Sequence, residues 1–139
     1  MYITKITPLL AIASIFLLTY CGNIEAQTSS HIELLGPADF ELRMEGNDAE
    51  TLQIVDVRTP REYSDGYIEG AILMDISDQK AFEAALQKLD VSRPVLVYCA
   101  AGGRSAAATK LMASKGVKEV VELKGGMNAW KASGKKIEL

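Results

Sequence analysis

Hydrophobic and polar positions along this chain follow two alternating rhythms. Short apolar runs fall at residues 52–57, 71–74, 94–98 and 120–123 and read as strands, that at 52–57 as a buried one; a shorter run at 32–35 predicts one more strand ahead of them. Helical patterns fill the intervals. Gly36-Pro37 opens a helix that runs to about Glu45, because Pro suits the first helical position, and Gly46-Asn47-Asp48 ends it. Thr59-Pro60-Arg61-Glu62 has capping-box spacing, so a short helix starts directly after the second strand. Ser77 or Asp78 caps a helix with Phe82, Ala85, Leu86 and Leu89 on one face. Residues 107–115 are good helix formers, with Leu111 and Met112 as an apolar stripe and Gly116 as a stop. Gly125-Gly126 turns the chain into a final short helix bearing Ala129 and Trp130. Strands alternating with helices predict an α/β domain with a mainly parallel central sheet and helices on both faces.

The first 20 residues break this pattern. Lys5 is a short basic start, residues 8–20 are predominantly apolar, and polar residues follow, which is the layout of a signal peptide. The run is shorter than the ~20 residues of a membrane span. Leu18-Thr19-Tyr20-Cys21-Gly22 resembles a bacterial lipobox, with Tyr20 standing where a small residue is usual. The expected layout is therefore a signal peptide at 1–20, a polar tether at 21–31 and one domain at 32–139. Lipidation of Cys21 implies an exported protein, periplasmic or anchored to the membrane through its lipid. Cleavage after Ala26 is the alternative. Either route leaves Cys99 as the domain's only thiol, which excludes an internal disulfide.

Composition narrows the function classes. With 139 residues, 48% hydrophobic and 24% charged, the chain suits one globular domain. A net charge of −3 without a basic run offers nothing to nucleic acid, and Lys135-Lys136 reads as a solvated terminus. The Asp, Glu and His residues have no metal-ligand spacing, and no cofactor is implied.

Cys99 is where chemistry concentrates. It ends the run Val95-Leu96-Val97-Tyr98 and is followed by Ala100-Ala101-Gly102-Gly103-Arg104-Ser105 and then the helix. A strand-to-helix turn of this kind points free N–H groups and the helix dipole at an anion. An ordinary thiol with a pKa near ~8.5 is only a few per cent thiolate at neutral pH, and making the thiolate dominant requires roughly 2 to 3 kcal/mol. One charge-assisted hydrogen bond (about 1.5 to 3 kcal/mol) plus the dipole (about 0.3 to 1) covers that. The only histidine, His31, sits in the polar N-terminal stretch, so a Cys-His dyad is improbable and the loop itself must activate Cys99.

Three ordered motifs carry a family resemblance. Asp56-Val57-Arg58-Thr59-Pro60-Arg61-Glu62-Tyr63 with Gly66-Tyr67-Ile68-Glu69-Gly70-Ala71, the loop from Cys99 to Ser105, and Leu123-Lys124-Gly125-Gly126-Met127-Asn128-Ala129-Trp130 together resemble the signatures of rhodanese-like domains. Tyr67 stands where that family usually has His, and Leu73-Met74-Asp75 replaces its more frequent N-[IL]-P. The resemblance implies a sulfurtransferase: Cys99 takes sulfur from a small anionic donor such as thiosulfate, holds it as a persulfide against the amides of residues 100 to 105, and passes it to a thiol or cyanide. Two alternatives compete. One is a persulfide carrier or binding module fed by a partner protein. The other is phosphatase or arsenate-reductase chemistry, for which relatives place five residues between Cys and Arg where this chain has four, Ala100 to Gly103.

Individual residues leave choices open. Arg58 and Glu62, four apart around a helix start, could polarise a substrate in support of Cys99, but are expected to pair and tie that corner together. Asp56 is either a buried acceptor for loop amides or a charge that modulates Cys99. Arg104 either takes an oxyanion bidentately or holds the loop by pairing with a carboxylate elsewhere. Ser105 caps the helix, donates to the thiolate, or does both. Gly102 and Gly103 supply unusual backbone angles, Ala100 and Ala101 leave a small uncharged rim, and Gly125-Gly126 with Trp130 are architectural.

Overall fold

The computed structural model describes residues 29–46 and 51–139. Residues 1–20, expected to be a signal peptide, Cys21, Ala26, most of the expected tether and Asn47-Asp48 lie outside the described residues. The elements alternate throughout: β1 (His31–Leu35), α1 (Pro37–Met44), β2 (Gln53–Asp56), α2 (Pro60–Ser64), β3 (Ala71–Leu73), α3 (Gln79–Leu86), β4 (Val95–Tyr98), α4 (Gly103–Ser114), β5 (Glu119–Leu123) and α5 (Gly126–Ala132). The predicted strands and helices are all present. The expected capping box forms on α2, where Thr59 and Glu62 satisfy each other's backbone N–H. Asp78, not Ser77, caps α3 by accepting from the Ala81 N–H at 3.0 Å.

The sheet order is β1-β5-β4-β2-β3 and every pairing is parallel. Alternation along β4 divides the core. Val95 and Val97 face Phe82 and Leu86 of α3 and Ala108 and Met112 of α4, while Leu96 and Tyr98 face Phe40 of α1 and Met127 and Trp130 of α5. Both faces of the sheet are thus covered, which is why β4 can be wholly buried and continuously apolar.

The order also places the site. From β2 the chain steps outward to β3, then returns across β2 to β4 and continues outward to β5 on the other side. The carboxyl ends of β2 and β4 therefore flank the point where the winding reverses, where open α/β sheets leave a crevice for ligands.

Two sequence expectations need correction. α4 begins at Gly103, four residues before the predicted 107. Its buried stripe is Ser105, Ala108, Thr109 and Met112, so Leu111 falls outside it and is 42% exposed. Small residues hid this stripe: the helix turns Ala and Thr inward to pack close on the sheet and leaves its largest aliphatic side chain in water.

Candidate active site

Cys99 follows β4 immediately and is 1% exposed. Three residues later the chain turns through Gly102 at φ 108°, in the left-handed region that favours glycine, and Gly102 serves as the N-cap of α4. No side chain caps this helix, so the expectation that Ser105 caps it does not hold; Ser105 lies inside the first turn.

The loop's outer side is tied down by α5. The Met127 N–H donates to the Cys99 carbonyl at 2.8 Å and the Asn128 N–H donates to the Ala100 carbonyl at 2.9 Å. These bonds use the otherwise unpaired N–H groups at the start of α5 and hold both carbonyls away from the sulfur. They also bring the two backbones so close that a Cβ at Gly126, where φ is +57°, would lie 2.4 Å from the Cys99 carbonyl oxygen. Gly126 is therefore more than a turn residue: only glycine permits this approach.

With the carbonyls held outward, the amides face inward. The Gly102 N–H donates to Cys99 Sγ at 3.1 Å, and the Ser105 Oγ lies 3.4 Å from the same sulfur. Burial pushes the Cys99 thiol up, but the Ser105 hydroxyl and the backbone N–H groups of Ser105, Gly102 and Ala101 outweigh it and hold the thiol below its ordinary value. Ala100 is half-buried, and Ala101 and Gly103 are exposed, so small residues alone form the rim on that side.

Arg104 reaches away from the sulfur. Its Nη1 and Nη2 donate to Glu62 Oε2 at 2.8 Å and Oε1 at 2.6 Å, a bidentate pair that bridges α4 and α2. The Arg104 bonds are the main cause holding the Glu62 carboxyl down at about 2. Of the two partners left open for Arg104, the structure shows the carboxylate. It also corrects the expected Arg58–Glu62 pair, because Glu62 is taken by Arg104 and its own N-cap.

Arg58 pairs with Asp56 instead. Its Nη2 donates to Asp56 Oδ2 at 2.6 Å, its Nε and backbone N–H donate to Oδ1 at 2.9 Å each, and Nη2 also reaches the Gly66 carbonyl at 2.7 Å. Asp56 is fully buried and Arg58 is 3% exposed. The guanidinium lies 5.6 Å from the Tyr98 ring centroid, and Tyr98 pairs in register with Asp56. Alternation puts this cluster on the Tyr98 face, opposite Val97 and the cluster that contains Cys99. Asp56 accepts from one amide, that of Arg58, and no bond joins either residue to the sulfur. Of the two roles left open for Asp56, the structure shows a buried acceptor, taking the Arg58 amide and guanidinium, and Arg58 ties the corner through Asp56 and Gly66.

Tyr67, the departure from the family's histidine, stacks on Tyr63 with ring centroids 4.2 Å apart. Its backbone exchanges hydrogen bonds with Glu138 at 2.9 and 2.8 Å, anchoring the C-terminal segment. A cavity of about 400 Å³ lies on the same side of the sheet, walled by Leu52, Ile54, Ile68 and Trp130 and by no residue of the 99–105 loop. Among the described residues no three His, Cys, Asp or Glu side chains gather closely enough to hold a metal ion.

One residue at the site escaped sequence reasoning altogether. Glu122 of β5 is buried, and the Ser105 hydroxyl lies 2.7 Å from its Oε1. A carboxylate in the otherwise apolar run Val120-Val121-Glu122-Leu123 was the signal that could have found it.

A parallel five-stranded sheet with a cysteine loop at the winding reversal defines an α/β domain built around a thiol. The family model described as the Rhodanese-like domain matches residues 37–133, and the chain belongs to that family. A thiosulfate sulfurtransferase, GlpE, of Shewanella oneidensis is 31% identical over 83 residues, which cover 60% of this chain and 79% of that protein. A tRNA uridine(34) hydroxylase of Pelagibacter ubique is 35% identical over 81 residues, 58% of this chain, but the match spans only 27% of the hydroxylase's length. Among solved structures, the rhodanese-like domain of an Anabaena protein is 37% identical with a TM-score of 0.66, covering 76% of this chain and 77% of that one.

Proposed function

We propose that the protein is a sulfurtransferase that moves sulfane sulfur through a persulfide on Cys99. The observation that carries this reading is Cys99 Sγ at the base of a loop whose inward N–H groups converge on it, 3.1 Å from the Gly102 nitrogen, at the start of α4. In the first half-reaction the Cys99 thiolate attacks the outer sulfur of a donor of the thiosulfate class. The bond between that sulfur and the sulfite sulfur breaks, sulfite leaves with the electron pair, and Cys99 carries the sulfur as an anionic persulfide. The amides then hold the negative charge one atom further out. In the second half-reaction cyanide or a thiolate acceptor attacks the outer sulfur, and Cys99 leaves as the thiolate.

The small rim of Ala100, Ala101 and Gly103 and the burial of the sulfur favour a compact donor. The four residues between Cys99 and Arg104 weigh against phosphate ester chemistry, for which a wider ring is needed. The test is the intact mass of the purified chain before and after thiosulfate, with cyanide added last and the adduct located by peptide mass. A gain of one sulfur on Cys99 that cyanide removes is expected. No gain at millimolar thiosulfate overturns the small-donor reading, and a gain then seen only with a persulfidated protein donor moves the assignment to a sulfur carrier.

A further inference from the structure

Glu122 is 9% exposed, and its Oε1 lies 2.7 Å from the Ser105 Oγ. The same oxygen of Ser105 lies 3.1 Å from the Gly102 carbonyl and 3.4 Å from Cys99 Sγ. A hydroxyl has one proton to donate and a carboxylate has none. While Glu122 is charged, the 2.7 Å contact is held together by the Ser105 proton. The single hydroxyl proton is then drawn toward the nearer acceptor, so the support that Ser105 gives a Cys99 thiolate at 3.4 Å is weakened. When the side chain at 122 is neutral, it can donate to Ser105 and the serine proton is free for the sulfur.

We propose that Glu122 is a positioning residue that sets, through Ser105, how readily Cys99 gives up its proton: the charged carboxylate draws the serine proton away from the sulfur, and a neutral side chain returns it. The inference rests on the reading of Cys99 as the reacting nucleophile. As the S–H bond breaks its proton leaves to solvent, the Ser105 proton stays on Ser105 Oγ, and no bond forms on Glu122. The neighbours are few. α4 contributes Ser105 itself and Thr109, whose hydroxyl is spent on the Ser105 carbonyl at 2.8 Å. β4 and its loop contribute Val97 and Cys99, and β1 contributes Leu34 at the paired position. Arg104, next to Ser105, is the nearby cation, and Glu62 of α2 holds its guanidinium.

The test follows the titration of Cys99 in the full-length chain by its iodoacetamide alkylation rate against pH, with the adduct located on Cys99 by peptide mass. Glu122→Gln is expected to lower the thiol pKa by about one unit, a roughly tenfold gain in alkylation at any pH where the wild type is mostly thiol. Glu122→Asn should move it the same way and decides the matter if the Gln variant fails to fold, as judged by thermal melting. In a Ser105→Ala background the shift caused by Glu122→Gln should largely disappear. A Glu122→Gln profile that superimposes on the wild type overturns the proposal, as does a shift that survives intact without Ser105. Thiol titration requires no sulfur donor, so these outcomes are independent of whether thiosulfate loads the wild-type chain.

Discussion

Two neighbouring strands end differently at the same edge of the sheet. β2 ends in Asp56 and Arg58, a buried pair in which the carboxylate accepts three Arg58 donors and the guanidinium completes its set on the Gly66 carbonyl. β4 ends in Cys99, where N–H groups converge on one sulfur and the neighbouring carbonyls are drawn off by α5. The first end is complete in itself. The second aims its donors at a sulfur, and those bonds strengthen when the sulfur carries negative charge. Charge density alone therefore misleads as a marker of the site, because the more highly charged strand end is the structural one.

The widest separation between the two ends comes from removing each one's central group. Cys99→Ser is expected to abolish the thiosulfate-dependent mass gain at that position while shifting the thermal midpoint little, since the two side chains differ by a single atom. A sulfur adduct at residue 99 surviving in a folded Cys99→Ser protein is chemically excluded, so continued sulfur transfer to cyanide at the wild-type rate would mean that the reaction runs elsewhere. Asp56→Asn should do the reverse. It leaves the buried Arg58 charge without its counter-ion, at a cost of about 3–5 kcal/mol, a large share of the ~5–15 kcal/mol that holds a domain together. Urea denaturation measures that loss. Where the variant stays folded, the alkylation profile of Cys99 should match the wild type; a displaced profile would mean that the two strand ends are coupled after all.

Gly126→Ala tests how the loop's polarity is maintained. The added Cβ meets the Cys99 carbonyl oxygen at 2.4 Å in a backbone conformation that L side chains rarely adopt. Loop and helix must separate, with a stability loss of roughly 1–3 kcal/mol typical of overpacking. Separation lengthens the bonds from Met127 and Asn128, so the carbonyls of Cys99 and Ala100 are no longer held away from the sulfur. The thiol pKa should therefore rise, and alkylation at neutral pH should fall by several-fold. An unchanged thiol profile in a destabilised Gly126→Ala protein would show that the amides orient without help from α5.

The sequence made the fold legible because its local signals agreed. Short β-branched apolar runs marked the strands, and the Thr59 capping box and the Gly36-Pro37 step marked where two helices start. Cys99 and its glycine-rich loop were equally plain. What stayed hidden were pairings between segments distant in sequence. Arg58 at four residues from Glu62 looked like its partner, yet the capping box turns Glu62 toward the helix start and Arg104, 42 residues away, approaches it there. Glu122 reaches Ser105 across 17 residues. Spacing rules describe neighbours along one element, and the site joins α2, α4, β5 and α5, so its charges could be counted from the sequence but not matched.

The smallest expected effect belongs to the Arg104–Glu62 bridge. Its two side chains are 34% and 33% exposed, where solvent screens the attraction, so Glu62→Gln should cost only ~0.2–1 kcal/mol. The pH dependence has a definite sign. The Glu62 carboxyl is held at about 2, below the ordinary glutamate value, so its contribution is fully present above the unfolded carboxyl's range near ~4.3 and fades as pH falls through the folded value. Wild type and Glu62→Gln should therefore differ by a constant amount in stability from neutral pH down to about 5 and converge below it. The bridge also keeps the Arg104 cation beside the loop, so breaking it should leave persulfide formation present but alter its rate, because the guanidinium is freed to move with respect to an entering anion. A difference that instead grew on acidification would mean that the Glu62 carboxylate is less favourable folded than unfolded, its folded pKa raised instead of lowered, and that the exposed bridge does not stabilise the charged form.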